Sequence, residues 1–328
     1  MDISVLIPIY KVEKYIERCL RSLFEQTKTD GVEFILVNDC TPDGSMEIAR
    51  RVVADYPNLV VKIINHEVNR GLPLARQTGL ESATGEYILH TDSDDWCEPT
   101  MLEELYTMAK ESGADIICCD AYKDDNHHSQ YVKYDVPSTQ GVECAELLMR
   151  NKIRGYLWIK FIKRSLYIDN KIRFIEGINL GEDVLVATKL FTVAKKVLYV
   201  PKAYYHYMVN SATSISNNIN LSTWREMYEL LPIELGSFFK ERGIVENSLL
   251  IALRDMKLYS KLALISCAKG DDRKRYAKIH PEVDQFIPTM SRITPLVRFG
   301  LIQATKGRVY IFDIVAALSK LKKFIKRK

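Results

Sequence analysis

The sequence predicts an α/β fold in which a mainly parallel sheet is flanked by helices and followed by a helical C-terminal appendage. Short apolar runs alternate with amphipathic segments over the first 120 residues, as is typical of repeated β-α-β units. From about residue 220 onward the apolar residues follow helical spacing throughout. A polar run at 210–220 separates the two patterns, so we expect domains at 1–215 and 216–328.

Each element of the first domain is predicted by its own pattern. Five apolar runs have the length of buried strands, at 3–8, 34–37, 60–64, 87–89 and 116–119. Segments with one apolar face predict helices at 12–27, 46–56, 71–83 and 102–109, and a later one at 184–193. Pro57 ends the second helix, Pro73 fits the first turn of the third, and Gly113 caps the fourth.

The net charge of +4 conceals a strongly basic C-terminal segment. Residues 291–328 contain ten Lys or Arg and one acidic residue, whereas residues 1–290 sum to −5. Residues 309–328 predict a basic amphipathic helix that would lie on an anionic inner leaflet. An ordinary terminal helix packed on the domain is the alternative. Nucleic-acid binding is not expected, because no recognition motif accompanies the charge.

The seven cysteines show no spacing typical of disulfides or zinc sites. Cys118 and Cys119 are neighbours in an apolar run, which predicts a buried strand. The sequence shows no signal peptide and no apolar stretch long enough for a membrane span. We therefore expect a cytoplasmic protein that is peripheral at the membrane if its basic tail binds there.

The run Asp92-Ser93-Asp94-Asp95 directly follows the fourth predicted strand. If the backbone stays extended through Ser93, Asp92 and Asp94 share a face. Carboxylates in this arrangement suit Mn²⁺ or Mg²⁺ held together with substrate phosphates. A solvated turn before the next helix is the alternative.

Polar clusters also follow two other predicted strands, at 8–10 and 38–41. Ligands of parallel sheets bind at the carboxyl ends of the strands, so we expect all three clusters at one site. The first strand is not followed by a Gly-x-Gly-x-x-Gly motif, which argues against a dinucleotide site.

Five motifs follow one another within about residues 1–215: the first strand, the Asn38-Asp39 loop, Asn69-Arg70-Gly71, the Asp92 run and Gly181-Glu182-Asp183. In this order they resemble the motifs of family 2 glycosyltransferases, the inverting enzymes with the Rossmann-like GT-A fold that assemble bacterial polysaccharides and glycolipids. Cys40 stands where the family usually has Gly. The Gln-x-x-Arg-Trp element of processive synthases is missing, which favours transfer of a single sugar.

The resemblance implies a nucleotide-sugar donor, with a UDP-sugar favoured. Asp39 would accept the imide hydrogen of uracil, although simple turn chemistry is the alternative for this residue. Pro8 and Tyr10 would line the base pocket, and Asp43 would support its loop. Arg76 would bind the diphosphate, unless it is an exposed helix residue.

For the metal, the resemblance implies Asp94 as the main ligand, with Asp92 on the ribose or on the metal through water and Ser93 in the donor site. His206 is a further candidate metal ligand, with a structural histidine as the alternative. Asp183 would be the general base that accepts the proton of the acceptor hydroxyl. The alternative is that Asp183 only complements the helix dipole.

The acceptor would be a saccharide or a lipid-linked saccharide. Trp158 and Lys160 are candidates for shaping its side of the site, and a core position is the alternative for Trp158. Two rival functions stay open. A sugar-phosphate nucleotidyltransferase would need a Gly-rich basic phosphate loop after the first strand, and a catalytically degenerate scaffold subunit would not need its carboxylates.

Overall fold

The computed structural model describes residues 1–125, 128–209, 220–291 and 293–315. The chain divides into two compact units, residues 1–218 and 219–328. Residues 316–328, which carry most of the basic end of the predicted amphipathic helix, lie outside the described residues.

Strands and helices alternate along the first unit, as the sequence predicts. Its described strands are β1 (Ile3–Ile9), β2 (Val32–Asn38), β3 (Val60–Asn65), β4 (Tyr87–His90), β5 (Trp96–Cys97), β6 (Ile116–Asp124), β7 (Ser129–Val132), β8 (Lys160–Lys163) and β9 (Val197–Met208). Its described helices are α1 (Ile16–Phe24), α2 (Ser45–Asp55), α3 (Leu72–Ser82), α4 (Met101–Ser112), α5 (Gly141–Met149), α6 (Arg164–Asp169) and α7 (Glu182–Val193), with a short 3₁₀ turn at Leu157–Ile159.

The strands of the first unit form one mixed sheet in the order β3-β2-β1-β4-β8-β6-β9-β5, with β7 beside β6. The half made of β3, β2, β1 and β4 is parallel, as predicted. Every residue of β1 is buried, as expected for a central strand covered by helices on both faces. The other half contains antiparallel pairings, because β8 runs opposite to both β4 and β6.

Strand β6 extends beyond the apolar run at 116–119 that predicts it, because the next residue is a carboxylate that is buried and fully hydrogen-bonded. Asp120 is fully buried and accepts hydrogen bonds from the Tyr199 hydroxyl at 2.9 Å and the Tyr134 amide at 2.6 Å. These donors satisfy the carboxylate, so the strand continues to Asp124. The β6–β9 register shifts on both sides of Asp120, which places a bulge there.

The described part of the second unit is helical, which confirms the sequence prediction. Its helices are α8 (Leu221–Arg225), α9 (Leu231–Glu241), α10 (Asn247–Cys267), α11 (Gly270–Tyr276) and α12 (Pro295–Thr305), with a π turn at Glu226–Leu230 and a 3₁₀ helix at Pro281–Thr289. Its core packs around Leu264, Ile287 and Leu301, which are fully buried. Within the described ranges, the chain forms no helix that is both long enough and apolar enough to cross a bilayer.

Candidate active site

The carboxyl ends of β2, β1 and β4 meet at one edge of the sheet, as the three polar clusters predict. These strands are adjacent and parallel, so their ends lie side by side. The Ser93 hydroxyl donates to the Pro8 carbonyl oxygen at 2.7 Å, which ties the loop after β4 to the end of β1. The Asp39 amide donates to the Ile9 carbonyl oxygen at 3.0 Å and ties the loop after β2 to the same strand.

Asp39 lies directly after β2 and is almost completely buried. Its two carboxylate oxygens accept hydrogen bonds of 2.7–3.0 Å from the side chains of His66 and Asn69 and the amides of Arg70 and Gly71. The carboxylate therefore holds the loop that leads into α3, which is more than local turn chemistry. If Asp39 accepted the imide hydrogen of uracil, it would do so through a carboxylate oxygen that already accepts two hydrogen bonds.

Asp43 fastens the start of α2 to the same loop. It accepts hydrogen bonds from the hydroxyls of Thr41 at 2.7 Å and Ser45 at 2.6 Å. Burial alone would raise the pKa of Asp43, but these bonds outweigh burial and lower it. These contacts fit the predicted role of Asp43 in supporting its loop. Tyr10, which is predicted to line the base pocket, is 38% exposed.

Cys40 has a backbone conformation that glycine adopts more easily than cysteine. Its φ of 55° lies in the left-handed region, which glycine adopts without steric cost. Its thiol is 3.6 Å from the carbonyl oxygen of Glu67. The loop therefore holds Cys40 in this conformation at the cost of backbone strain.

The acidic run after β4 does not continue as an extended strand, and that premise of the sequence prediction is wrong. The chain turns at Ser93 and Asp94, and the Asp95 amide closes the turn on the Asp92 carbonyl oxygen at 3.1 Å. Asp95 is buried, whereas Asp92 and Asp94 are partly exposed. Burial, followed by the negative charges of Asp94 and Asp92, raises the pKa of Asp95 well above its usual range.

Tyr205 on β9 braces this turn, and the sequence analysis assigned it no role. Its hydroxyl accepts a hydrogen bond from the Asp92 amide at 3.0 Å and donates one to the Asp95 carboxylate at 2.8 Å. The Met208 amide donates to the other oxygen of Asp95 at 2.7 Å. The only signal in the sequence was the aromatic run that ends β9, and it does not reveal which hydroxyl turns inward.

Arg76 on α3 connects the acidic run to the Glu-Asp motif. Its guanidinium donates to Asp92 Oδ1 at 2.6 Å and to Glu182 Oε1 at 2.7 Å, and its side chain is 3% exposed. The alternative of an exposed helix residue is therefore wrong. Burial would lower the pKa of Arg76, but the charges of Asp92 and Glu182 outweigh burial and raise it, so the cation persists at all working pH values.

Glu182 and Asp183 form the first turn of α7, after Gly181 with φ of 89°. Burial raises the pKa of both carboxyls above their ordinary values, and their mutual repulsion adds to the increase for Glu182. For Asp183, Arg76 and the Val184 amide oppose burial without cancelling it. Burial therefore outweighs the helix N-terminus, which favours the carboxylate form.

His206 lies between aromatic rings and carboxylates. The rings of Trp96 and Tyr122 stack on it at centroid distances of 3.4 Å and 4.6 Å. Its Nδ1 is 2.9 Å from Asp124 and its Nε2 is 2.8 Å from Glu98. With both ring nitrogens directed at carboxylates, the geometry favours the structural alternative over a metal ligand. Trp158 is likewise buried, as the core alternative predicts.

A sequence profile described as Glycosyl transferase family 2 matches residues 4–175. The chain belongs to this family. The predicted family membership is therefore confirmed, and it replaces the nucleotidyltransferase alternative. The chain is 33% identical over 215 residues to the uncharacterized glycosyltransferase EpsJ of Bacillus subtilis, covering 63% of this chain and 61% of that protein. It spans about three-fifths of the length of the first curated relatives it matches.

Two solved structures share the fold of this family 2 member. TarS residues 1–349 from S. aureus, crystallised with UDP-GlcNAc, superimposes with a TM-score of 0.72 at 20% identity and covers 98% of this chain and 92% of that one. A mannosyltransferase from Pyrobaculum calidifontis, solved with GDP-Man and Mn²⁺, gives a TM-score of 0.51 at 16% identity over 97% of this chain and 86% of that one. The predicted GT-A fold class is confirmed.

The acidic turn offers carboxylate oxygens of the kind that bind divalent cations. Among the residues that the structure describes, no three His, Cys, Asp or Glu side chains gather as a complete protein cage. Asp92 and Asp94 lie in one partly exposed turn, and one oxygen of Asp92 is bound by Arg76. One or two carboxylates with phosphate oxygens fit the way Mg²⁺ is usually held.

Proposed function

We propose that this protein is an inverting glycosyltransferase that moves a single sugar from a nucleotide diphosphate sugar to an acceptor hydroxyl. The observation that carries the proposal is the Arg76 bridge, because it joins Asp92 of the acidic turn to Glu182, the neighbour of Asp183. One buried cation thus holds the predicted donor-binding and proton-accepting groups beside each other. A scaffold would need the fold, but it would not need donor-binding and proton-accepting groups to lie beside each other.

The donor is proposed to be a UDP-sugar. The support is the position of Pro8, Tyr10 and Asp39 at the adjacent carboxyl ends of β1 and β2, together with a fold neighbour crystallised with UDP-GlcNAc. Asp43 would keep the loop in place, and Ser93 would do the same through its bond to the Pro8 carbonyl oxygen. Both terminal nitrogens of Arg76 already bind carboxylates. Arg76 would therefore act on the diphosphate in two ways, by holding Asp92 in place and through its own positive charge.

Mn²⁺ or Mg²⁺ is the proposed cofactor, with Asp94 as main ligand and Asp92 beside it. When bound, the cation would neutralise the negative charge that develops on the departing diphosphate. The mannosyltransferase neighbour solved with Mn²⁺ supports this assignment. The turn at Ser93 and Asp94, closed by the Asp95 amide, would present both carboxylates without the extended backbone first expected.

Asp183 is proposed as the general base. It is partly exposed at the first turn of α7, so its carboxylate can face an acceptor hydroxyl. Its raised pKa brings it closer to neutrality, which makes it a stronger proton acceptor as long as it stays ionised. Arg76 and Lys160 supply nearby positive charge that favours its ionised form. A base in this position contributes roughly 10²- to 10⁴-fold to the rate.

The acceptor is proposed to be a saccharide or a lipid-linked saccharide at the inner leaflet. Support comes from the ten Lys and Arg of residues 291–328 and from the exposed apolar side chains of Phe299, Tyr310 and Ile314 before the end of the described chain. Co-pelleting with vesicles that contain anionic lipid tests this point. Deletion of 309–328 should abolish pelleting, and unchanged pelleting would contradict the proposed membrane contact.

The decisive experiment for the reaction is a screen of nucleotide sugars for hydrolysis and transfer, with Mn²⁺, with Mg²⁺ and with chelator. We expect one uridine donor to be consumed in a metal-dependent way, and the activity to be lost in Asp94→Ala and Asp183→Asn. Glu86→Gln is the matched control, because Glu86 pairs with Lys110 at an exposed position away from the sheet edge. Donor stabilisation without turnover, even with saccharide acceptors, would favour the scaffold alternative.

A further inference from the structure

A fully buried lysine lies close to the proposed base, at the first residue of β8. Lys160 is 1% exposed, and its ammonium donates to the carbonyl oxygens of Arg154 at 2.9 Å and Tyr156 at 2.7 Å. Burial of a cation is costly and lowers the pKa of Lys160. The two carbonyl bonds offset part of this cost, and they fix the backbone of residues 154–156 on both sides of Gly155.

This short loop packs directly against the start of α7. A Cβ added to Gly155 would lie 2.8 Å from Val184 Cγ2 and 2.9 Å from Val184 Cα, closer than such atoms approach in folded proteins. Val184 immediately follows Asp183. The lysine also reaches the body of the same helix, since its Nζ lies 5.7 Å from the centre of the Phe191 ring.

Strand register places Lys160 at the edge of the sheet that carries the site. Leu89 of β4 pairs with Phe161 of β8, and the two strands are antiparallel. Lys160 therefore lies level with the carboxyl end of β4, just before the acidic turn. Its charge acts on the Asp183 carboxylate from there and helps to offset the effect of burial on that group.

We propose that Lys160 is a positioning residue for Asp183: it fixes the loop 154–156 against the first turn of α7 and so sets the place of the base. The kinetic part of this proposal rests on the proposed function, in which Asp183 accepts the proton. The geometric part does not, because the loop and the helix turn can be observed without turnover. A separate readout for each part keeps their failures distinguishable.

Hydrogen exchange of the intact chain tests the geometric part. We compare Lys160→Met with Lys163→Met, a matched control at the opposite end of β8. The Val184 amide is held by Asp183 Oδ1 at 2.7 Å and the Leu185 amide by the Gly181 carbonyl oxygen at 2.9 Å. Faster exchange of both amides and of residues 154–156 in Lys160→Met alone is expected. Unchanged exchange in a folded Lys160→Met protein would overturn the proposal.

Steady-state kinetics tests the role in catalysis. We expect Lys160→Met to lower kcat roughly 10- to 100-fold, because small displacements of a reacting group have effects of this size. KM for the donor should stay within about twofold, as expected when only the acceptor-activating step is impaired. An unchanged kcat, or a change in donor KM alone, would contradict the kinetic part while leaving the family assignment untouched.

The pH profile separates positioning from a general loss of folded protein. The charged groups that act on Asp183 are Arg76, Lys160, Asp92 and Glu182. Removal of the Lys160 charge should raise the pKa of Asp183, which shifts the acidic limb of kcat to higher pH. A loss of folded protein would scale the whole profile without moving that limb, and this outcome would refute the charge effect.

Gly155→Ala keeps the proposal testable if Lys160→Met does not fold. The added methyl group pushes the loop away from Val184 and leaves the lysine charge in place. We expect faster exchange at the first turn of α7 and a lower kcat, with the acidic limb unmoved. Normal exchange and normal kcat in Gly155→Ala would show that contact between the loop and the helix does not position the base.

Discussion

Replacement of Arg76 by methionine should destabilise the protein strongly, and more so at high pH. The side chain is 3% exposed and bridges Asp92 and Glu182, whose side chains are 27% and 9% exposed. Removal of one partner of a buried ion pair typically costs about 3–5 kcal/mol, because the remaining charges stay buried without compensation. The partial exposure of Asp92 places our expectation near the lower limit, at about 3 kcal/mol near pH 9.5.

The pH dependence follows from the direction of the pKa shift of Glu182. Burial and Asp183 raise this pKa above its ordinary value of 4.5, so the folded state binds more protons than the unfolded state. Stability therefore falls as pH rises from 4.5 toward the raised folded value. Loss of the Arg76 charge raises the pKa further, which extends this fall to higher pH. Below the raised wild-type value both folded proteins keep the carboxyl protonated, so the substitution should cost less at pH 7 than at pH 9.5.

Urea denaturation at pH 7 and pH 9.5 measures both quantities. Arg150→Met is the matched control, because Arg150 pairs with Glu146 one helical turn away and their side chains are 32% and 28% exposed. Such a pair is worth about 0–1 kcal/mol, with little dependence on pH over this range. The double variant Arg76→Met/Glu182→Gln should regain about 1 kcal/mol or more, since one uncompensated charge is removed. Equal destabilisation at both pH values, or no more than in the control, would refute the reasoning.

Three further predictions follow from single contacts. Glu33 is buried, but hydrogen bonds from Lys62, Ser4 and Thr84 outweigh burial and lower its pKa to about 2. Glu33→Gln should therefore cost about 2 kcal/mol at pH 7, a figure that allows for solvent screening of Lys62. In urea denaturation, the difference in stability from wild type should shrink below pH 4.5. A constant difference down to pH 3 would contradict this. Tyr205→Phe should cost about 1–3 kcal/mol, because the Asp92 amide loses its acceptor and Asp95 loses a donor; an unchanged Tm would rule out the bracing role. Cys40→Val should cost about 1–3 kcal/mol at its φ of 55°, and Cys40→Gly less than about 1 kcal/mol. Equal effects of the two substitutions in denaturation would count against strain.

The parallel half of the sheet could be predicted because its strands are short apolar runs in alternation with amphipathic helices. Burial on both faces leaves a continuous apolar run in β1, which is visible without an alignment. The two residues of β5 and the antiparallel placement of β8 could not be predicted, since their partners are chosen by tertiary contacts. The end of β6 was missed because Asp120 is a buried carboxylate whose hydroxyl donors lie elsewhere in the chain.

The location of the site could be predicted from strand ends, but its internal connections could not. Sequence order placed Asp39 and Asp92 at the same edge because their strands flank β1. The turn at Ser93 depends on its bond to the Pro8 carbonyl oxygen, which no local pattern encodes. The two ion pairs of Arg76 likewise depend on where α3 and α7 pack. The competition between burial and the helix N-terminus at Asp183 required the three-dimensional surroundings.

The contacts that close the site join segments that are far apart along the chain. The Arg76–Glu182 pair spans 106 residues, and the bond between the Asp92 amide and the Tyr205 hydroxyl spans 113. Such non-local contacts form late and slowly in folding, because the entropy cost of closing a long loop precedes the stabilising contact. During synthesis the acidic turn emerges well before α7 and β9, so a nascent chain has the carboxylates but lacks part of the framework that compensates them. Appearance of activity during refolding should therefore report completion of the whole first unit.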